Sequence, residues 1–334
     1  MRVAENLNQS LHRLLDAVPR AYVLGEDIAD PYGGAFKVTK GLSDSFPGRV
    51  ITTPISESGI VGAGAGLALA GDVAVVEIMF GDFVALAFDQ IVNFASKSVS
   101  MYGRRVPMPL VVRCPMGGRR GYGATHSQSL QKHFIGVPGL SLYEISPFRD
   151  AYELLSEIVE RAEPAMLFED KVLYTRRMFR DGVVDDLLSY DRHPDAPDVT
   201  RVFVDDPDNY DVVLIAPGGM AHRACEAVRD LLVEEEITTL LLVPTRLYPF
   251  DPGPLLGTLG AARAICVAEE STAGGTWGAE LAQQVHRRLW GVLPRPVALV
   301  HSEDSVIPSA AHLEERVLVR GATIREAVVE ALRD

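Results

Sequence analysis

The sequence predicts an α/β protein of two domains, each built on a parallel sheet covered by helices on both faces. Short runs rich in Val, Ile and Leu alternate with segments of helical period, the pattern of a buried parallel sheet. The alternation breaks in an Asp/Pro-rich stretch near 181–211 and then resumes. A length of 334 residues leaves each half enough chain for its own core.

Element by element, residues 1–18 read as an amphipathic helix and AYVLGED as a buried strand ending on acids. DPYGGAF is a glycine-rich loop, KVTKGLSDSF a short helix and RVITT a strand. PISESGIVGAGAGLALAG opens a helix of small residues, with Ser56 at its N-cap and Glu57 in its first turn. DVAVVEIM is a strand, and residues 81–102 carry apolar residues at the spacing of one long helix. MPLVVRCP is a strand, MGGRRGYGATHSQ a loop, LSLYEIS a strand, FRDAYELLSEIVERA a helix and PAMLFED a strand. Beyond 211 the strands DVVLIAP, TTLLLVPT, ARAICVAEE and PVALVHS alternate with three helical segments. The boundaries expected are a first domain over 1–185, a linker over 186–208 and a second domain over 209–334.

Composition narrows the function. Hydrophobic residues make up 47% and charged residues 23%, a globular balance, and the net charge of -13 argues against nucleic acid as a partner. Cys114, Cys225 and Cys266 are far apart and form no CxxC pair, so neither a disulfide framework nor a zinc site is expected, and a reduced cytoplasmic setting fits. The N-terminal segment lacks the apolar core of a signal peptide, and the longest apolar stretch is broken by glycines, Asp72 and Glu77, so no membrane span is expected.

In open parallel sheets ligands sit beyond the carboxyl ends of the strands, which makes GEDI, TTPISESG, EIMFGDF and GYGATHSQ candidates by position. Glu57 has two readings. It is a first-turn carboxylate that favours the helix dipole, or a carboxyl sheltered among small apolar residues that keeps a proton available for a ring nitrogen. The glycines at 59, 62, 64 and 66 do not make a dinucleotide loop, because Leu67 stands where GxGxxG needs its last glycine. His126 is either a hydrogen-bonded loop residue or a proton shuttle. Met79, Phe80 and Phe83 are core residues or, at a strand end and helix start, a face for a flat ring. Arg113, Arg119 and Arg120 read as a solvated basic loop or as an anion site.

LGEDI, YGGAFKVTKGL, RVITTPISESGIVGAGAGLALAG, FDQIVNFASK, ATHSQS, VPGL, PTRLYPFD and AGGTWGAELA occur in this order along nearly the whole chain. In that combination the sequence resembles the beta subunit of the decarboxylating component of 2-oxoacid dehydrogenases, the family of pyruvate, branched-chain and acetoin dehydrogenases. The resemblance implies a thiamine-enzyme pyrimidine-binding domain followed by a transketolase-type C-terminal domain. It implies thiamine diphosphate, shared with an alpha subunit that holds the diphosphate and its magnesium through a GDG motif absent from this sequence. No metal ligand is expected on this chain. Two alpha and two beta chains, a 2-oxo acid substrate and acyl transfer to a lipoyl-bearing acyltransferase core follow from the same resemblance.

By position, Glu57 matches the family glutamate that bonds the pyrimidine ring nitrogen and exchanges a proton with it. Phe83 matches the aromatic packed on that ring, Met79 an apolar neighbour, Glu26 an acid near the site and His126 the histidine near the substrate and incoming lipoyl group. Two segments depart from the family. Arg161 stands where an acidic residue helps bind a structural potassium ion, which puts that ion site in question, and HSEDSVIPSAAHLE replaces a more usual Asp-x-Pro-x-Pro stretch. These departures leave room for a split-subunit thiamine carboligase or transketolase-like synthase with an aldehyde acceptor. A docking role, in which the acidic second domain anchors the enzyme to a basic core protein, is compatible with the dehydrogenase reading.

Overall fold

Apolar residues three and four apart give the first helix one buried stripe. In the computed structural model, which describes residues 1–333, α1 (Val3–Ala17) buries Val3, Leu7, Leu11, Leu14 and Leu15. Each such leucine contributes about 1.5–3 kcal/mol of burial. The chain divides into two units, residues 1–117 with 134–178, and residues 118–133 with 179 onward.

The first unit follows the expected order. It contains β1 (Ala21–Gly25), α2 (Leu42–Ser45), β2 (Val50–Thr52), α3 (Glu57–Leu69), β3 (Val73–Glu77), α4 (Ser96–Ser98), β4 (Leu110–Met116), β5 (Ser141–Glu144), α5 (Ala151–Arg161) and β6 (Ala165–Asp170). Its strands pair in parallel in the order β5-β6-β4-β3-β1-β2. Strands β4, β5 and β6 are buried at every position, which is why they read as continuous apolar runs. Helix α5 starts where Asp150 accepts from the N–H groups of Tyr152 and Glu153, and ends at Ala162 in the left-handed region. Asn6 ties α1 to that start: it donates to Asp150 Oδ2 at 2.9 Å and accepts from the Ala151 N–H at 2.8 Å.

Helix α3 lies close on the sheet because of Gly64. A Cβ there would stand 2.5 Å from Val76 Cγ1 and 3.1 Å from Leu110 Cδ1. Ser56 is the N-cap residue as expected, but its side chain makes no capping hydrogen bond.

The helix expected over 81–102 runs without a break from 81 to 98, but its hydrogen-bond register changes along the way: a 3₁₀ turn (Gly81–Ala87) gives way to a π-helical turn (Gln90–Ala95) and then to the one-turn α4. Local side-chain competition accounts for part of this: Ser96 Oγ donates to the backbone carbonyl of Val92 at 2.8 Å.

The second unit contains β7 (Ser189–His193), β8 (Ala196–Phe203), β9 (Val212–Ile215), α6 (Ala221–Glu235), β10 (Thr239–Pro244), β11 (Arg246–Tyr248), α7 (Leu256–Ala261), β12 (Ala264–Thr272), α8 (Trp277–Arg288), β13 (Ala298–Ser302), α9 (Ala311–Val317) and α10 (Gly321–Arg333). Its sheet runs β13-β12-β9-β10-β8-β7. The first four strands are parallel, while β8 runs antiparallel to β10 and β7 antiparallel to β8.

The hairpin β7–β8 corrects the linker expected over 186–208. Asp and Pro give that stretch the composition of a connection, yet Val199, Thr200 and Val202 are buried and the ladder closes on β10. Polar residues on an edge hairpin hide its strand period. Chain order assigns the loop 118–133 to the first domain, whereas in space it belongs to the second unit.

Candidate functional site

Three carboxylates gather where the strands of the first unit end. Glu26 directly follows β1, Glu57 is the first residue of α3, and Glu77 is the last residue of β3. Glu26 and Glu57 are each 6% exposed and Glu77 4%. Burial raises the pKa of Glu26 above the ordinary glutamate value, and the neighbouring charges of Glu57, Asp27 and Glu77 push it further. Glu26 Oε1 is buried and has no hydrogen-bond partner. Among the described residues, no three His, Cys, Asp or Glu side chains converge as a metal site.

Beneath this cluster lies an ion network. Arg113, fully buried within β4, donates from Nε and Nη2 to the two oxygens of Glu169 at 2.7 Å each and from Nη1 to Glu77 Oε2 at 2.6 Å. Tyr174 adds its hydroxyl to Glu169 Oε2 at 2.5 Å. Burial raises the pKa of Glu77 even against the attraction of Arg113. Burial also works against the Arg113 charge, but Glu169 and Glu77 more than offset it and raise its pKa. One guanidinium thus faces two carboxylates.

Aromatic rings adjoin the ion network: the Tyr174 ring, whose hydroxyl meets Glu169, lies 5.2 Å from that of Phe36. The Phe36 and Phe80 ring centroids are 5.5 Å apart at 76°, and those of Phe80 and Phe83 are 6.3 Å apart at 77°. Lys171 Nζ lies 5.6 Å from the centre of the Phe80 ring. Met79, Phe80 and Phe83 are all half-buried.

His126 is half-buried in the loop 118–133 of the second unit, with Nδ1 3.0 Å from Thr125 Oγ1. Carboxylates hold the start of that loop: Glu270 accepts from the Gly118 N–H at 3.1 Å, and Glu314 from the Arg119 N–H at 2.7 Å and the Gly121 N–H at 3.3 Å. Glu314 comes from the divergent segment after β13, which here serves as a clasp.

The structure brings Glu26 and Glu57 together and sets Phe83 and Met79 after β3 in the same unit. It separates Arg113 from Arg119 and Arg120. Arg113 is a strand residue saturated by carboxylates, and Arg119 pairs with Glu270 at 3.6 Å, so neither is an open anion site. Sequence reasoning misses Glu77, Glu169 and Tyr174. The signal for them is Arg113 itself, because an arginine inside the apolar run LVVRCPM must find buried partners.

The comparisons identify this two-unit α/β chain as transketolase-type. Residues 1–177 match the transketolase pyrimidine-binding domain and residues 203–324 the transketolase C-terminal domain. The pyruvate dehydrogenase E1 component subunit beta of Leifsonia xyli subsp. xyli is 33% identical over 328 residues, 98% of this chain and 93% of that protein. The mitochondrial 2-oxoisovalerate dehydrogenase subunit beta 2 of Arabidopsis thaliana is 33% identical over 310 residues, 92% of this chain and 83% of that protein. In fold, the chain is like a solved split gene transketolase, an inactive beta4 tetramer, with a TM-score of 0.74 at 20% identity, covering 100% of this chain and 98% of that one. The chain belongs to the family of 2-oxoacid dehydrogenase E1 component beta subunits.

Proposed function

We propose that this chain is the beta half of a thiamine-diphosphate-dependent 2-oxoacid dehydrogenase that decarboxylates a 2-oxo acid only when joined to an alpha subunit. The observation that carries the reading is the pair of buried carboxyl groups, Glu57 and Glu26, gathered at the ends of parallel strands in the unit that also holds half-buried Phe83. An aminopyrimidine suits this setting. It offers a flat apolar face to Phe83 and Met79, and polar edges to carboxyls of which one, Glu26, has an oxygen buried without a partner.

When bound, thiamine diphosphate supplies the electron sink for loss of carbon dioxide from the 2-oxo acid. Glu57 passes a proton to and from a ring nitrogen of the pyrimidine. Burial first, and the surrounding acids second, disfavour the charged form of Glu26 beside it. Phe83 and Met79 keep water from that exchange. His126 serves the substrate and the incoming acyl acceptor, a lipoyl group of an acyltransferase core.

The alpha subunit holds magnesium, in a tetramer of two alpha and two beta chains. After α5, where Arg161 puts a potassium site in question, its guanidinium pairs with Glu157 at 3.0 Å. Three buried thiols, Cys114, Cys225 and Cys266, suit a reducing cytoplasm.

The test is reconstitution. The chain alone, with thiamine diphosphate and magnesium, should release no carbon dioxide from pyruvate or branched 2-oxo acids, and addition of the alpha subunit should start release. Turnover by the lone chain would refute the reading. Acyl transfer to a lipoyl domain supports the dehydrogenase, whereas carbon–carbon bond formation with an aldehyde would assign the chain to a carboligase.

A further inference from the structure

The Lys132 ammonium sits against four oxygens of one turn. It lies 2.9 Å from Thr272 Oγ1, 3.0 Å from Thr272 O, 3.1 Å from Gly274 O and 3.3 Å from Ala273 O. An ammonium has three N–H donors. Four acceptors around three donors, three of them successive backbone carbonyls, make a cage that recognises a charge more than it satisfies individual hydrogen bonds. Backbone carbonyls that replace a hydration shell in this way are how proteins hold potassium. None of the four oxygens belongs to a carboxylate, so the cage has the donors for a monovalent cation and lacks the charge that calcium sites use.

We propose that the turn 272–274 is a monovalent-cation site occupied by the chain's own lysine, and that Lys132 thereby fastens the far end of the loop carrying His126 without any dissolved ion. The near end of that loop is held by Glu270 and Glu314. His126 sits six residues before Lys132 in the sequence. A clasp at each end restricts the loop to few conformations and limits where the imidazole can go, which makes Lys132 a positioning residue. A cavity of about 490 Å³ lined by Lys132, Thr272, Ser129, Glu270, Asp304 and Ile307 adjoins the cage, so a dissolved ion has a route to it when the lysine is removed.

The consequence for turnover rests on the role given to His126, but the cation site itself is tested without substrate. The full chain and its Lys132→Ala variant are unfolded by heat in potassium, ammonium, sodium and choline chloride at matched ionic strength. The wild type should melt at one temperature in all four. Lys132→Ala should melt lower in choline and recover about 2–4 °C in potassium and ammonium, the shift expected of a modest stabilisation in a chain of this size. Sodium, smaller than the cage, should recover less. Lys132→Met, whose stem fills the site without charge, should gain nothing from any salt. A Lys132→Ala midpoint that rises equally in every salt, or in none, overturns the proposal. If the variant folds only when prepared in potassium, that is the same result in stronger form, and failure to fold in both potassium and choline overturns it as well.

Discussion

Arg113 and Glu169 are joined by two parallel hydrogen bonds of 2.7 Å, with neither side chain exposed to solvent. The pair lies across adjacent strands, β4 and β6, and Arg113 has a donor left over for Glu77 at the end of β3. It joins β4 to β6 and to the end of β3, and each part of that arrangement has a measurable consequence.

Removing one member of this pair strands a charge in the core. Glu169→Gln leaves the Arg113 guanidinium under-compensated and should cost about 3–5 kcal/mol, read as a lower urea midpoint of the full chain. An unchanged midpoint would mean that Glu77 alone can neutralise Arg113.

Glu57→Gln should behave differently. The amide keeps the shape of the side chain at the start of α3, so the midpoint should move little, while decarboxylation by the assembled enzyme should fall about 10²–10⁴-fold, as expected for loss of a positioned proton donor. Substantial residual turnover in a folded, assembled variant would remove Glu57 from the chemistry.

The raised pKa of Glu26 carries a sign. The folded chain holds the Glu26 proton more tightly than the unfolded chain, so the contribution of Glu26 to stability is greatest at low pH and is lost as pH rises from the ordinary glutamate value through the raised one. Glu26→Gln has no proton to lose and should flatten that fall. Urea midpoints of both proteins between about pH 4 and 7, a range around ordinary carboxyl values, check this. The gap should close in favour of the variant as pH rises, and parallel curves would show that Glu26 titrates normally.

Two glycines of α3 should respond in opposite directions. Gly64→Val drives side-chain atoms into Val76 and Leu110 and should cost about 1–3 kcal/mol. A methyl group added at Gly66 would meet nothing within 4 Å, and Gly66→Ala should stabilise the isolated chain by about 0.5–1 kcal/mol through helix propensity. Equal effects at the two sites would show that α3 is not seated on β3 and β4 as described.

Much of this protein follows from short-range pattern. The alternation of apolar runs with helical periods predicts two α/β units, because a buried parallel strand has no polar face and an amphipathic helix cannot hide its stripe. Position at strand ends and the run TPISESGI single out Glu57, and LGEDI singles out Glu26. Tertiary structure decided the rest, since pairing across strands leaves no local period. Glu77 and Glu169 look like ordinary strand residues until β3, β4 and β6 bring them to Arg113. Residues 189–203 look like a linker until β8 pairs with β10. The segment after β13 looks like mere divergence until Glu314 accepts the Arg119 N–H. Periodicity reports which face of an element is buried, but which charge meets which is set by contacts between residues far apart in the chain.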